Sequence, residues 1–299
     1  MLTECAIIGG GPAGLSAALM LGRSRRSVIV FDDNTPRNSV ARRSHGFLTR
    51  DGIPPSELRL LAHHELANYP SVAFRHDEVV RVIPRLASFL VTTKSGFTCE
   101  ARTLILAAGL KEQLPEIPNV QFYYGTSLFS CPYCDGWELK DKPIVVIDET
   151  INAYQRIKLI RQWSGNLLLC TNGRSVLNEE QLHKLHLRGI AVEQKRITQM
   201  IGTGGQLMGV QFDNGRIILR SGGFVSPYWE QAAPFGAALG CVMNRQGGIQ
   251  TDGLGRTSVA GVYAAGDTSH IAPAQAVIAA SEGSKAAIGV NTDLANKDF

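Results

Sequence analysis

The chain has 299 residues, room for two domains of ordinary size. Hydrophobic residues make up 44% and charged residues 19%, with 31 glycines, which suits full α/β cores. A net charge of +4 is too small for a nucleic-acid binder, and no apolar run reaches the roughly 18 residues that a membrane span requires.

The first segment, MLTECAIIGGGPAGLSAALMLG, is apolar enough to imitate a secretion signal. It carries Glu4, lacks a basic start and holds a glycine motif that explains it better. The expected location is therefore cytoplasmic; no transmembrane segment is expected, and a peripheral membrane link stays open. ECAII, residues 4 to 8, predicts a short buried strand that enters GGGPAG, where Gly9, Gly11 and Gly14 fit GxGxxG. A helix follows with Leu15, Ala18, Leu19 and Leu21 apolar, and SVIVFDD predicts a second strand ending on Asp32 and Asp33. That is a complete βαβ unit with an acid about twenty residues beyond the glycines, and it predicts a bound dinucleotide. Gly9 permits the tight turn, Gly11 lets a diphosphate approach the backbone, and Gly14 lets the helix lie close to the strand. Pro12 and Ala13 complete the turn, the helix start offers amide donors, and Asp32 can accept from a ribose. The cluster Arg23, Arg25 and Arg26 reads as a solvated face.

Six cysteines fall at 5, 99, 131, 134, 170 and 241, and only Cys131 and Cys134, in CPYCDG, are close together. A zinc site would need a second pair of ligands at short spacing, so no metal is expected and redox chemistry is favoured. A two-residue spacer brings two sulfurs within bonding distance, and a nearby helix start lowers a thiol pKa. Asp135 beside them can relay a proton. A purely structural disulfide is the competing reading.

VVIDETINAYQ, residues 145 to 155, has the frame of a second nucleotide unit. With the chain aligned on itself at an offset of 139, Gly9 falls on Asp148, Gly11 on Thr150 and Gly14 on Ala153. Thr150 carries a Cβ where a diphosphate would touch backbone, and Asp148 and Glu149 are expected to cap the helix start themselves. After NLLLC the chain reads Thr171, Asn172, Gly173, with only Arg174 to meet a 2′-phosphate. NADPH binding is therefore not expected.

LILAAGL (104 to 110) and GVYAAGD (from 261), with the long small-residue helix after it, resemble the later FAD segments of two-dinucleotide-domain flavoproteins. The order FAD fingerprint, CxxCDG, inserted domain, AGD helix is similar to that of low-molecular-weight thioredoxin reductases over essentially the whole chain. The resemblance implies two Rossmann-like, three-layer ββα domains. Residues 1–114 plus 245–299 would form a split FAD-binding domain, and 115–244 a central degenerate NAD(P)-type domain carrying the CxxC. It also implies that Cys134 faces the flavin, Cys131 exchanges with substrate and Asp135 manages the proton. FAD contacts would come from the first glycine motif, from Arg37, Asn38 and His45, from Ala108 and Gly109, from Gly266 and Asp267, and from Ala274, Gln275 and Ala276. For His45, as for His270, a satisfied structural histidine is an equal reading.

TPRNSVARRSHGFLTRDGIPPSEL, residues 35 to 58, resembles a narrower branch: fungal dithiol oxidases, their bacterial relatives and the cyanobacterial diflavin-linked disulfide oxidoreductases. These pass electrons from a dithiol through the disulfide to FAD, and the cyanobacterial group holds a second FAD. Tyr228 and Trp229, in FVSPYWE, are the first place to look for one, although each aromatic also reads as core. Asp135 stands where the fungal enzymes commonly have His. The expectation is an FAD-dependent thiol–disulfide oxidoreductase that does not use NAD(P)H. Its substrate would be a small dithiol or a thioredoxin-like protein, and the family implies a homodimer. A ferredoxin- or NADPH-dependent thioredoxin reductase and a non-catalytic flavin sensor are the alternatives.

Overall fold

The computed structural model describes residues 2 to 299. The elements run β1 (Leu2–Ile8), α1 (Pro12–Arg23), β2 (Val28–Asp32), α2 (Pro55–Leu66), β3 (Val72–His76), β4 (Val79–Pro84), β5 (Phe89–Thr93), β6 (Thr98–Leu106) and β7 (Leu110–Gln113). Then come β8 (Leu128–Phe129), α3 (Pro132–Asp135), β9 (Ile144–Ile147), α4 (Ala153–Ile160), β10 (Leu167–Cys170), α5 (Glu179–Leu187) and β11 (Ala191–Glu193). The chain continues with β12 (Ile197–Thr203), β13 (Gln206–Phe212), β14 (Ile217–Leu219), β15 (Gly223–Val225), β16 (Tyr228–Gln231), α6 (Phe235–Ala238), β17 (Val262–Ala264) and α7 (Ala276–Asp298).

The chain divides into two compact units, one of residues 1–39, 46–111 and 229–299, the other of residues 40–45 and 112–228. In the first unit β3, β2, β1, β6 and β17 are parallel neighbours. β6 is shared: its first half pairs antiparallel with β5, and its second half, Leu104–Leu106, pairs parallel with β17. The sheet therefore forks into a β4–β5–β6 meander. Along β1 the side chains alternate between two cores, Cys5 and Ile7 on one face and Ala6 and Ile8 on the other. Burial on both faces is why the strand reads as an unbroken apolar run.

The second unit repeats the plan. Its sheet has the order β11-β10-β9-β15-β8, all parallel, and a β12-β13-β14 meander stands beside it. β9 alternates like β1, with Val145 and Ile147 in one core and Ile144 and Val146 in the other. The duplicated α/β architecture is as the self-alignment predicts.

The boundaries differ from the sequence division: the second unit takes in residues 40–45 and begins at 112 rather than 115. The chain returns to the first unit at Trp229, not at 245, because Phe235 and Cys241 are buried against Ile249 and the strands of the first sheet. The arginine cluster is not wholly solvated either. Arg26 donates to Glu4 at 2.6 Å and to Asn291 at 2.8 Å, which ties β1 to the last turns of α7.

Candidate active site

Two constellations carry chemistry, one in each unit. In the first unit β1 runs through Gly9–Gly11 into α1. Gly9 has φ +117°, and a Cβ there would lie 2.2 Å from the Ala107 carbonyl oxygen. A Cβ on Gly14 would lie 1.8 Å from the Gly9 carbonyl oxygen. These two glycines are required by backbone geometry and close packing. Gly11 is different: a Cβ there would meet nothing within 4 Å. It caps α1 without a side-chain acceptor, so the first-turn amides face that space unclaimed by any side chain. Gln275 caps α7, also without a side-chain hydrogen bond. The two helices touch closely, since a Cβ on Gly283 would lie 1.9 Å from the Ala13 carbonyl oxygen. An open glycine with free amides behind it fits the diphosphate of a dinucleotide such as FAD.

Other expected residues gather in the same unit. Asp32, 8% exposed, accepts from the Asn34 amide at 3.1 Å and from Arg59 at 2.5 Å. Arg37 donates to Asp267 at 2.8 Å and lies over the Trp229 ring, 5.1 Å from its centroid. The Gly109 amide donates to Thr268 Oγ1 at 2.8 Å, and a Cβ on Gly266 would lie 2.8 Å from the Ala13 Cβ. Asn38, Ala108, Ala274 and Ala276 are half-buried. The sequence reading missed Arg59 and Glu282. Glu282 accepts from the Gly266 amide at 2.8 Å, and burial raises its pKa while His270, 3.9 Å away, pulls it back. Both stand on helices far along the chain from their partners, where no local motif marks them.

In the second unit Cys131 and Cys134 form a disulfide with their Cα atoms 5.3 Å apart. Cys131, in extended conformation, caps the single turn α3, and its sulfur accepts from the Cys134 amide at 3.2 Å. That amide would also stabilise a Cys131 thiolate. Pro132 occupies the first helical position, where no amide is needed. A Cβ on Gly136 would collide with the Pro132 carbonyl and with Trp163, whose ring meets Tyr133 edge-on at 5.5 Å. Asp135, next to Cys134, has its pKa raised to about 7. Burial is the main cause, the Glu138 carboxylate adds to it, and His45 opposes it. His45 belongs to the second unit, its Nε2 3.5 Å from Glu138 Oε1.

The strand-to-helix turn after β9 is filled by its own side chains. Asp148 is 1% exposed and accepts from the Thr150 amide at 2.8 Å, the Thr150 hydroxyl at 2.7 Å and the Ser226 hydroxyl at 2.7 Å. Glu149 accepts from Asn172 at 2.5 Å and from the Tyr228 hydroxyl at 3.0 Å. The acids therefore do not cap the helix as the sequence suggested. Pro12 aligns with Ile151, yet α4 starts only at Ala153, capped by Asn152 with no side-chain bond. The Thr150 hydroxyl accepts the Asn152 amide at 3.2 Å, and the Thr150 carbonyl accepts the Ala153 amide at 3.1 Å. Asp148 is thus consumed in a turn ahead of the helix. Arg156 donates to the carbonyl of Ser130, just before Cys131, and to that of Val225 at 3.4 Å. Burial lowers its pKa, and Asp148 pulls it back up. The residues here do not fit a dinucleotide's diphosphate: a carboxylate stands where a glycine is needed.

Among the described residues no group of three His, Cys, Asp or Glu side chains could hold a metal, and no helix is long and apolar enough to cross a membrane.

The chain matches the family "Pyridine nucleotide-disulphide oxidoreductase" over residues 3–148 and 167–283. It is 30% identical to the thioredoxin reductase aclD of Aspergillus oryzae over 309 residues, covering 98% of this chain and 97% of that one. A probable thioredoxin reductase of Arthroderma benhamiae is 31% identical over 186 residues, and the match spans 46% of its length. Among solved structures, "Putative Thioredoxin Reductase TrxB" of Bacillus anthracis superposes with a TM-score of 0.96 at 42% identity, covering 99% of this chain and all of the other.

Proposed function

The chain belongs to the pyridine nucleotide-disulphide oxidoreductase family, within its thioredoxin reductase-like members, and from that premise we propose that it oxidises dithiols with FAD and without NAD(P)H. The observation that carries this reading is the pairing of an open glycine cradle at Gly11 with a second turn occupied by buried Asp148. A nucleotide phosphate entering that turn would face two carboxylates whose donors are already taken.

The disulfide does the exchange. The first substrate thiolate attacks Cys131 Sγ, forms a mixed disulfide and breaks the Cys131–Cys134 bond, so Cys134 leaves as a thiolate. The second substrate sulfur closes the substrate disulfide and releases Cys131. Two electrons then reside on the enzyme dithiol. One of the two substrate protons stays on Cys131, and Asp135 accepts the other. FAD, when bound, supplies the two-electron acceptor that reoxidises this dithiol, and an acceptor other than NADP must take the pair onward. Gly11 and the α1 amides would hold its diphosphate, and Asp32 its ribose.

Anaerobic stopped-flow spectroscopy tests the proposal: dithiothreitol should bleach the flavin rapidly and NADPH should leave it oxidised. Rapid bleaching by NADPH would overturn it. The relatives' names support a second reading, in which a donor such as ferredoxin reduces the flavin and electrons leave through Cys131 to a protein disulfide. Turnover of thioredoxin with reduced ferredoxin, without dithiol oxidation, would favour that direction.

A further inference from the structure

The side chains that fill the turn after β9 reach the disulfide through Arg156. Ser130 is where the chain leaves β8, one residue past the strand pair Phe129–Phe224 and one residue before Cys131. It is held twice: its carbonyl accepts from Arg156 Nη2, and its hydroxyl donates to Glu112 Oε1 at 3.5 Å. Glu112 is fixed in turn by the Tyr124 hydroxyl, which donates to it at 2.5 Å. The same Arg156 nitrogen donates to the Val225 carbonyl at 3.4 Å, and the next residue, Ser226, donates its hydroxyl to Asp148 at 2.7 Å. The Ser226 amide donates to the Ile147 carbonyl at 2.9 Å, so Arg156 is anchored where β9 and β15 end together. A cation donating to a carbonyl makes a charge-assisted bond, stronger than a neutral one.

The consequence falls on Cys131. It caps α3 in an extended conformation, φ −111° and ψ 111°, and its sulfur accepts the Cys134 amide at 3.2 Å only while that conformation holds. The peptide that joins Ser130 to Cys131, whose carbonyl Arg156 holds, aims that cap. When the substrate disulfide closes, Cys131 sulfur leaves as a thiolate, and a donor at that sulfur makes it a better leaving group. We propose that Arg156 is the positioning residue of the interchange sulfur: by fixing the Ser130 carbonyl it keeps Cys131 at the α3 cap. The residues that fill the second turn serve as its anchor. The inference rests on the dithiol–disulfide reading of Cys131 and Cys134. Arg156 acts through the backbone and is not a catalytic residue.

The test uses the full-length, flavin-loaded Cys134→Ser protein, in which Cys131 is a free thiol and the capping amide is retained. Alkylation by iodoacetamide is followed across pH on the Cys131 peptide by mass spectrometry, which separates it from the four buried cysteines. With Arg156 intact, the alkylation midpoint should lie below the ordinary thiol value of about 8.5. Arg156→Met should raise it by roughly half a pH unit or more, because the sulfur is no longer held at the amide. Arg156→Lys keeps a charged donor on a shorter side chain and tests the clamp even where Arg156→Met does not fold. It should raise the midpoint by less. Ile160→Val loosens the buried face of the same helix without touching the clamp and should leave the midpoint in place. Flavin content and thermal unfolding verify which variants are folded. A midpoint that no folded Arg156 variant moves, or that Ile160→Val moves equally, overturns the positioning role and leaves the reading of Cys131 standing. A midpoint at or above about 8.5 with Arg156 intact overturns both.

Discussion

Asp135 titrates near 7 because a carboxylate there is stripped of water and faces Glu138, with His45 too weak an opponent to cancel those effects. Its ordinary value is 3.8, so the folded protein binds the proton more tightly than the unfolded chain. The stability that this protonation confers is complete below about 4 and is lost as pH rises through about 7. Asp135→Asn should therefore raise the unfolding temperature relative to wild type by an amount that grows from about pH 4 and levels off above about pH 7, as calorimetry across pH would show. The same substitution should slow dithiol oxidation by roughly a hundredfold or more, since the proton loses its acceptor. At Asp148 the charge is structural: three donors and the Arg156 cation depend on it. Asp148→Ala should cost about 3–5 kcal/mol, because it leaves buried partners unmatched. Thermal unfolding measures that loss, and titration with NADPH should still show no binding.

At the scale of elements, the β1–α1 turn separates glycines that fold the protein from one that serves a ligand. Gly14→Ala drives a Cβ into the Gly9 carbonyl and should destabilise the unit by at least about 1–3 kcal/mol. Gly11→Ala meets no protein atom and has an ordinary backbone conformation, so the unfolding temperature of the flavin-free protein should stay within a degree or two of wild type. Flavin retention on gel filtration should nonetheless fall about tenfold or more, since the new methyl stands where a diphosphate would approach. The corresponding turn after β9 has the same frame but is filled by its own side chains. Once Asp148 is buried and α4 begins at Ala153, the helix start is no longer presented at the strand end. Restoring glycine at one position would not rebuild it.

The two units are copies in topology but not in chemistry. The first retains the open cradle, and the second carries the disulfide and has filled its own turn. Flavin extracted from purified protein should amount to one per chain. A second flavin stacked on Trp229 or Tyr228 would compete with Arg37 over the one ring and would have to free the other's hydroxyl from Glu149. Cys134→Ser should abolish dithiol turnover and leave that flavin content unchanged, because the cysteines and the glycine cradle belong to separate compact units.

The amino-acid sequence by itself determined the duplicated βαβ plan, the glycine turn at Gly9–Gly14, the Cys131–Cys134 pair and the carboxylates that stand at the second turn. Each of these is a local pattern, a strand period, a positive φ or a short spacer, whose physical cause lies within a few dozen residues. Tertiary structure alone decided which side chains meet across separate elements. It returned the chain at Trp229, paired Asp32 with Arg59 and Arg37 with Asp267, clamped the Ser130 carbonyl with Arg156, and brought His45 to Glu138. It also gave Asp148 partners other than the helix amides. These outcomes depend on burial and on long-range proximity, which raise or lower a proton affinity and satisfy or orphan a charge, and neither quantity exists until the chain has packed.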